Sequence, residues 1–129
     1  MLRILQIDDD LYKLMDIKRT LLEICNAETK WAIDLKEGME ALQKAKEEKR
    51  PFDLIISDMN YPRRPGDANY YRAGCLLIQM LREQEDDTPV IICSSENYEV
   101  PEAAGCVWYN DSRILSMDFK AVFRKLQLR

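Results

Sequence analysis

The sequence has no histidine. That absence removes the Ser–His–Asp triad, the Cys–His pair, the HExxH zinc site and imidazole as a general acid or base. Any chemistry must run on carboxylates, hydroxyls, amines or a bound metal. There is no CxxC pair either: Cys25, Cys75, Cys93 and Cys106 lie far apart, each in an apolar stretch. A buried thiol in such a setting behaves as a small hydrophobe, so all four read as reduced cysteines of a cytoplasmic protein. No basic stripe is present, and 19 basic residues against 23 acidic ones leave a formal charge of −4. That balance argues against direct nucleic-acid binding. No apolar run approaches the roughly 18–20 residues that span a bilayer. Nothing resembles a signal peptide, because strand-like residues begin at Leu2.

What is there suits a single domain over residues 1–129, with 47% hydrophobic residues to build a core. Short apolar runs alternate with helical patterns. Arg3–Ile7 reads as a first strand, and Leu11, Leu14, Ile17, Leu21 and Ile24 trace one helical face after it, with Asp10 as N-cap. Lys30–Ile33 is a weaker strand, and Asp34 with Glu37 forms a capping pair for a second helix. Phe52–Asp58 is the clearest strand, its near-continuous apolar centre suiting burial on both faces. A polar loop over Met59–Ala73 leads to a third helix ending near Gln84. Thr88–Cys93 and Cys106–Tyr109 are further strands, and a last helix is expected to start at a Ser116 cap. The alternation implies a mostly parallel sheet with helices on both faces, in which ligands collect beyond the carboxyl ends of the strands.

Those ends are acidic and hydroxylic. The first strand runs into Asp8-Asp9-Asp10, the third into Asp58, and the fourth into Ser94-Ser95. Carboxylates converging on one rim raise one another's pKa unless a cation holds them. Oxygen donors without histidine or paired cysteine suit a hard cation, Mg²⁺ above all. A carboxylate nucleophile, a metal and a hydroxyl together point to phosphoryl transfer onto an aspartate. Asp10 is better read as a helix cap alone.

These residues resemble the receiver domain of bacterial response regulators. The likeness runs through Ile7-Asp8-Asp9, Glu37–Leu42, Phe52–Pro62, Ala73-Gly74 and Pro89–Ser95. The resemblance implies a flavodoxin-like five-stranded parallel sheet of order 2-1-3-4-5 with helices on both faces. It implies that Asp58 is the phosphoacceptor, that Asp8, Asp9, Asp58 and the Asn60 backbone carbonyl hold Mg²⁺, and that Ser94 hydrogen-bonds the phosphoryl group. Ser95 takes a place the family keeps small. The implied partners are a sensor histidine kinase or phosphotransfer protein upstream and a separate protein downstream. Neither a membrane nor nucleic acid is a direct partner, and homodimerisation is left open. Having no histidine, the chain cannot donate the phosphoryl group itself.

The sequence departs from the family in three places. The lysine that usually follows the fifth strand is missing, since none occurs between Gln84 and Lys120, and Asn110 or Ser112 takes its slot. The loop after the third strand is long and carries Arg63, Arg64 and Arg72. Overhanging the site, it either supplies a replacement cation or forms a solvated or partner-binding loop. The stretch between Ser94 and Asn110, broken by Pro101, leaves a short or missing fourth helix. Tyr109 or Trp108 is either the inward-swinging aromatic of the family or plain core.

The expected function is therefore a stand-alone receiver in a phosphorelay, with no enzymatic activity beyond phosphorylating itself from a phosphodonor. The last helix, finishing near Leu128, leaves no room for an output module. A pseudo-receiver that binds partners without phosphate regulation is the alternative, favoured by the missing lysine. A Mg²⁺-dependent phosphatase of the haloacid dehalogenase type fits less well, because Asn60 stands where its second carboxylate belongs. A flavodoxin-like nucleotide-binding protein also fits poorly, as three acids after the first strand repel phosphate unless a metal is bound.

Overall fold

The acidic rim exists because neighbouring strands stop within two residues of one level. The structure, a computed structural model, describes residues 1–128. Strands β1 (Leu2–Ile7), β2 (Ala27–Ala32), β3 (Leu54–Ser57), β6 (Val90–Ser94) and β7 (Gly105–Trp108) form one sheet of order β2-β1-β3-β6-β7. Every pairing in it is parallel. This is the expected 2-1-3-4-5 order. The chain steps outward from β1 to β2, then crosses back to β3 on the other side of β1. The switch point thus falls between β1 and β3, where Asp8 and Asp58 emerge.

Helices α2 (Leu35–Glu47) and α3 (Ala73–Glu83) cover one face of the sheet, and α1 (Leu11–Ile24) and α4 (Leu115–Leu126) the other. On one side Leu5, Ile7, Ile55 and Ile92 pack under Leu42 and Leu77. On the other, Ile4, Leu54, Ile56 and Ile91 meet Ile17, Leu21, Phe119 and Phe123. Side chains of alternate parity in each central strand thus go to opposite faces, which is why these strands read as unbroken apolar runs. Each full burial of this kind stabilises by about 1.5–3 kcal/mol.

Two helix starts follow the expected chemistry. Asp10 Oδ1 accepts from Lys13 N (3.2 Å) and Asp34 Oδ1 from Glu37 N (2.7 Å). The start of α4 does not. Ile114 holds the extended N-cap conformation with no side-chain cap, and Ser116 lies inside the first turn. A two-pronged Arg113–Asp118 ion pair (2.6 and 3.0 Å) closes that turn instead.

The polar loop after β3 is also more ordered than a loop. Tyr61–Pro62 (β4) and Asn69–Tyr70 (β5) pair antiparallel around a turn with Gly66 at φ 83°. The hairpin leans on α2 through Lys36 N donating to Arg63 O (2.9 Å). Between β6 and β7 the described residues form turns and no helix, so the expected missing helix is real. Cys93 is buried, the other three cysteines are partly buried, and all four are free thiols. Among the described residues no helix is long and apolar enough to cross a membrane.

Candidate functional site

Parallel pairing brings the site together. Ile7 is level with Ser57, and Ser57 with Ile92, so Asp8 and Asp58 leave the sheet side by side and Ser94 ends β6 one residue beyond their level. Carboxylate oxygens of Asp8, Asp9 and Asp58 lie within 4.8 Å of one another. Asp8 is buried, Asp58 partly so, and Asp9 exposed. Backbone amides hold two of them in place: Asp10 N donates to Asp8 Oδ1 (2.9 Å) and Met59 N to Asp58 Oδ1 (2.7 Å).

The position of Asp58 depends on a close approach from α3. Gly74 N donates to Met59 O (3.0 Å). A Cβ at residue 74 would stand 2.7 Å from Asp58 O and 2.9 Å from Ile92 Cδ1, so only glycine fits without moving that loop. Beneath it, Tyr61 is fully buried, its hydroxyl 2.9 Å from Ser57 Oγ. Ser57 Oγ in turn lies 2.8 Å from the Asp58 carbonyl oxygen. Burial pushes the Tyr61 phenol up, so it stays a neutral hydroxyl.

The residue the sequence reading missed is Lys13. Its side chain is only 4% exposed, and Nζ lies 2.8 Å from Asp8 Oδ2, 3.1 Å from Asp58 Oδ1 and 2.6 Å from the Cys93 carbonyl oxygen. Burial pushes the Asp8 carboxyl up to about 6, the neighbouring Asp58 charge adds to that, and Lys13 pulls against both. Burial alone would lower the Lys13 ammonium, yet Asp8 and Asp58 hold it above the ordinary lysine range. Counted by formal charge, the pocket sets three carboxylates against one ammonium, a net of −2. A signal for Lys13 was available. It stands four residues before Ile17 and eight before Leu21, on the apolar face of α1, in the first turn where the helix dipole disfavours a cation. A lysine there needs acids waiting for it.

The positions offered for a replacement cation lie elsewhere. Asn110 and Ser112 bond each other, Ser112 Oγ donating to Asn110 Oδ1 at 2.7 Å. The Arg63 guanidinium stacks on Tyr70 (4.6 Å) and that of Arg72 lies over Tyr98 (5.9 Å). Arg63 and Arg64 line a groove against Leu35, Lys36 and Met39 of α2, so the hairpin packs on that helix. The residue directly after β7 is Tyr109. Its ring faces Lys13 (Nζ to centroid 5.6 Å) and its hydroxyl donates to Asp16 Oδ2 (2.7 Å). Trp108 turns outward, donating Nε1 to Ser95 O (3.0 Å). Ser94 Oγ is buried and accepts from Glu96 N (3.3 Å), a contact that leaves its own hydrogen to donate. The Asn60 carboxamide oxygen accepts from Arg72 N (2.8 Å).

The donor set fits Mg²⁺: clustered carboxylate oxygens, no nitrogen or sulfur ligand, and a net charge that a divalent ion balances. Fold and pocket together define a doubly wound, flavodoxin-like α/β protein with an acidic site at its switch point. The sequence model of the response regulator receiver domain matches residues 4–116, and the chain belongs to that family. It is similar to the chemotaxis response regulator CheY4 of Vibrio cholerae, at 25% identity and TM-score 0.69 over 97% of this chain and 98% of that one. A response regulator receiver domain protein from Clostridium thermocellum matches at 21% identity and TM-score 0.69, over 98% and 95% of the two chains. A two-component response regulator from Cytophaga hutchinsonii shares the fold at TM-score 0.75 and 15% identity, over 97% and 96%. No curated protein is significantly similar in sequence.

Proposed function

We propose that this receiver accepts a phosphoryl group on Asp58 in a phosphorelay and signals through protein contacts. The observation that carries the reading is the meeting of Asp8, Asp9 and Asp58 within 4.8 Å, at the rim that also presents Ser94. Asp8, Asp9, Asp58 and the Asn60 carbonyl would hold Mg²⁺, whose chemistry is to neutralise charge on the transferring phosphoryl oxygens. Both protein contacts to the Asp58 carboxylate engage Oδ1, which makes its second oxygen the nucleophile. That oxygen forms a bond to phosphorus while the bond from phosphorus to the donor breaks. The donor is a phosphohistidine of a sensor kinase or phosphotransfer protein, or acetyl phosphate, and the leaving group takes the electron pair. Ser94, buried beside the acceptor, donates its hydroxyl to a phosphoryl oxygen.

The test is Mg²⁺-dependent binding of beryllofluoride, an aspartyl-phosphate mimic, followed by a change in amide spectra around Asp58. Saturable binding supports the reading, and an unchanged spectrum opposes it. One observation favours a second reading. Lys13 already ties Asp8 to Asp58 without a metal, which would suit a partner-binding receiver fixed in one state. Beryllofluoride separates the two, since the fixed receiver ignores it.

A further inference from the structure

We infer that the cation facing the phosphoryl group on Asp58 is the ammonium of Lys13, supplied from helix α1 instead of from the end of the fifth strand. The inference rests on the phosphoacceptor reading above and names the residue that completes its site.

The Lys13 ammonium hydrogen-bonds the Cys93 carbonyl and forms ion pairs with Asp8 Oδ2 and Asp58 Oδ1. Burying a lysine in the first turn of a helix works against both desolvation and the helix dipole. Three acceptors at 2.6–3.1 Å are what offset it. The Cys93 carbonyl is on β6, directly before Ser94, so it anchors Nζ between the acceptor carboxylate and the hydroxyl that flanks it. Among the described residues no other cation pairs with these acids. Arg63 and Arg72 lie over tyrosines, Asn110 and Ser112 bond each other, and Tyr109 fills the end of β7 with its hydroxyl fixed to Asp16.

The three contacts also say how the site changes. Nζ already faces three oxygens, so meeting a phosphoryl group on Asp58 means drawing away from one of them. The ion pair with Asp8 is the one to loosen, because Asp8 would be among the residues holding Mg²⁺ and so would have another counter-charge. Transfer from acetyl phosphate forms one P–O bond at Asp58 and breaks one at acetate, which leaves with the electron pair. Lys13 remains an ammonium throughout and acts by charge alone. Because its other contacts are Cys93 and the face of Tyr109, its shift is transmitted to β6 and to the Tyr109–Asp16 bond that joins the β7 end to α1.

The experiment compares wild type, Lys13→Met, Lys13→Gln and the double variant Lys13→Met with Tyr109→Lys, which returns an ammonium to the end of β7. Three quantities are measured: labelling rate with acetyl phosphate, beryllofluoride affinity with Mg²⁺, and affinity for Mg²⁺ alone. The two single variants are expected to lose about tenfold or more in labelling and beryllofluoride affinity, the worth of one charge-assisted hydrogen bond. They should bind Mg²⁺ alone at least as tightly as wild type, because a competing cation has left the acids. A merely structural lysine would not produce that opposite movement. The double variant is expected to recover labelling. Wild-type labelling and beryllofluoride affinity in the single variants overturn the inference and leave the phosphoacceptor reading standing. A wild type that neither labels nor binds beryllofluoride overturns both. Should the single variants lose Mg²⁺ as well, the double variant decides: labelling supports the inference, and Mg²⁺ binding without labelling overturns it.

Discussion

Two helical glycines in this fold, Gly38 and Gly74, stand about equally close to their neighbours, and replacing each by alanine should have different consequences. At Gly74 an added Cβ lies 2.7 Å from the Asp58 carbonyl oxygen, 2.9 Å from Ile92 Cδ1 and 3.4 Å from Met59 Cα. Two of those atoms are backbone of the very loop that carries the acceptor. At Gly38 the nearest atom, at 2.6 Å, is Ile7 Cδ1, the far end of a side chain, and the next are Ile7 Cγ1 at 3.3 Å and Ala32 Cβ at 3.8 Å. Both glycines sit in the first turns of helices, where alanine gains about 0.8–1 kcal/mol in propensity. Overpacking against unyielding atoms costs about 1–3 kcal/mol, while a side-chain tip that can turn costs less. Gly38→Ala should therefore be close to neutral, and Gly74→Ala should lose up to about 2 kcal/mol, or up to roughly 7 °C of thermal midpoint. Because what yields at Gly74 is the Asp58 loop, beryllofluoride affinity should fall in Gly74→Ala and hold in Gly38→Ala. Urea unfolding and beryllofluoride titration of the pair measure both. A Gly74→Ala protein as stable as wild type with unchanged affinity would refute the claim that this close approach positions the acceptor.

Other consequences follow from single contacts. Ser94→Ala should bind beryllofluoride about tenfold more weakly with little change in stability, read by titration and thermal melting. Tyr61→Phe removes one buried hydroxyl from the pair with Ser57, and thermal unfolding should show a loss of about 1 kcal/mol. Burial would raise the Asp86 carboxyl, but hydrogen bonds from Lys46 and from Thr88 N and Oγ1 hold it below its ordinary value. A depressed carboxyl stabilises the fold above its unfolded pKa, and that share is lost as pH falls through the folded one. Asp86→Asn should thus cost about 1–2 kcal/mol at pH 7, with Lys46 contributing little because it is largely solvated, and the difference should shrink below about pH 4 in urea titrations.

The sheet was readable because its central strands are buried on both faces, which writes Leu54–Ser57 and Val90–Ser94 as apolar runs that nothing else explains. The rim was readable for a related reason: strand ends in a parallel sheet lie near one level, so Asp8, Asp58 and Ser94 are neighbours once the order is known. The hairpin after β3 was not readable, because two-residue strands carry no periodicity and Pro65-Gly66 marks a turn without saying what it joins. Ser116 misled because a capping residue type is informative only in the right register, and a salt bridge closed the turn instead. Lys13 was legible only in part. Its place on the apolar face of α1 called for acids opposite it, but which acids appears only when those of two strands are seen to converge on it.

The central claim is that Asp58 accepts a phosphoryl group, and intact-mass analysis after incubation with acetyl phosphate and Mg²⁺ tests it most directly. The account predicts one Mg²⁺-dependent, acid-labile phosphoryl adduct, mapped to Asp58 and absent from Asp58→Asn. An adduct that persists in Asp58→Asn, or no adduct in a protein that binds Mg²⁺ but ignores beryllofluoride, would contradict it.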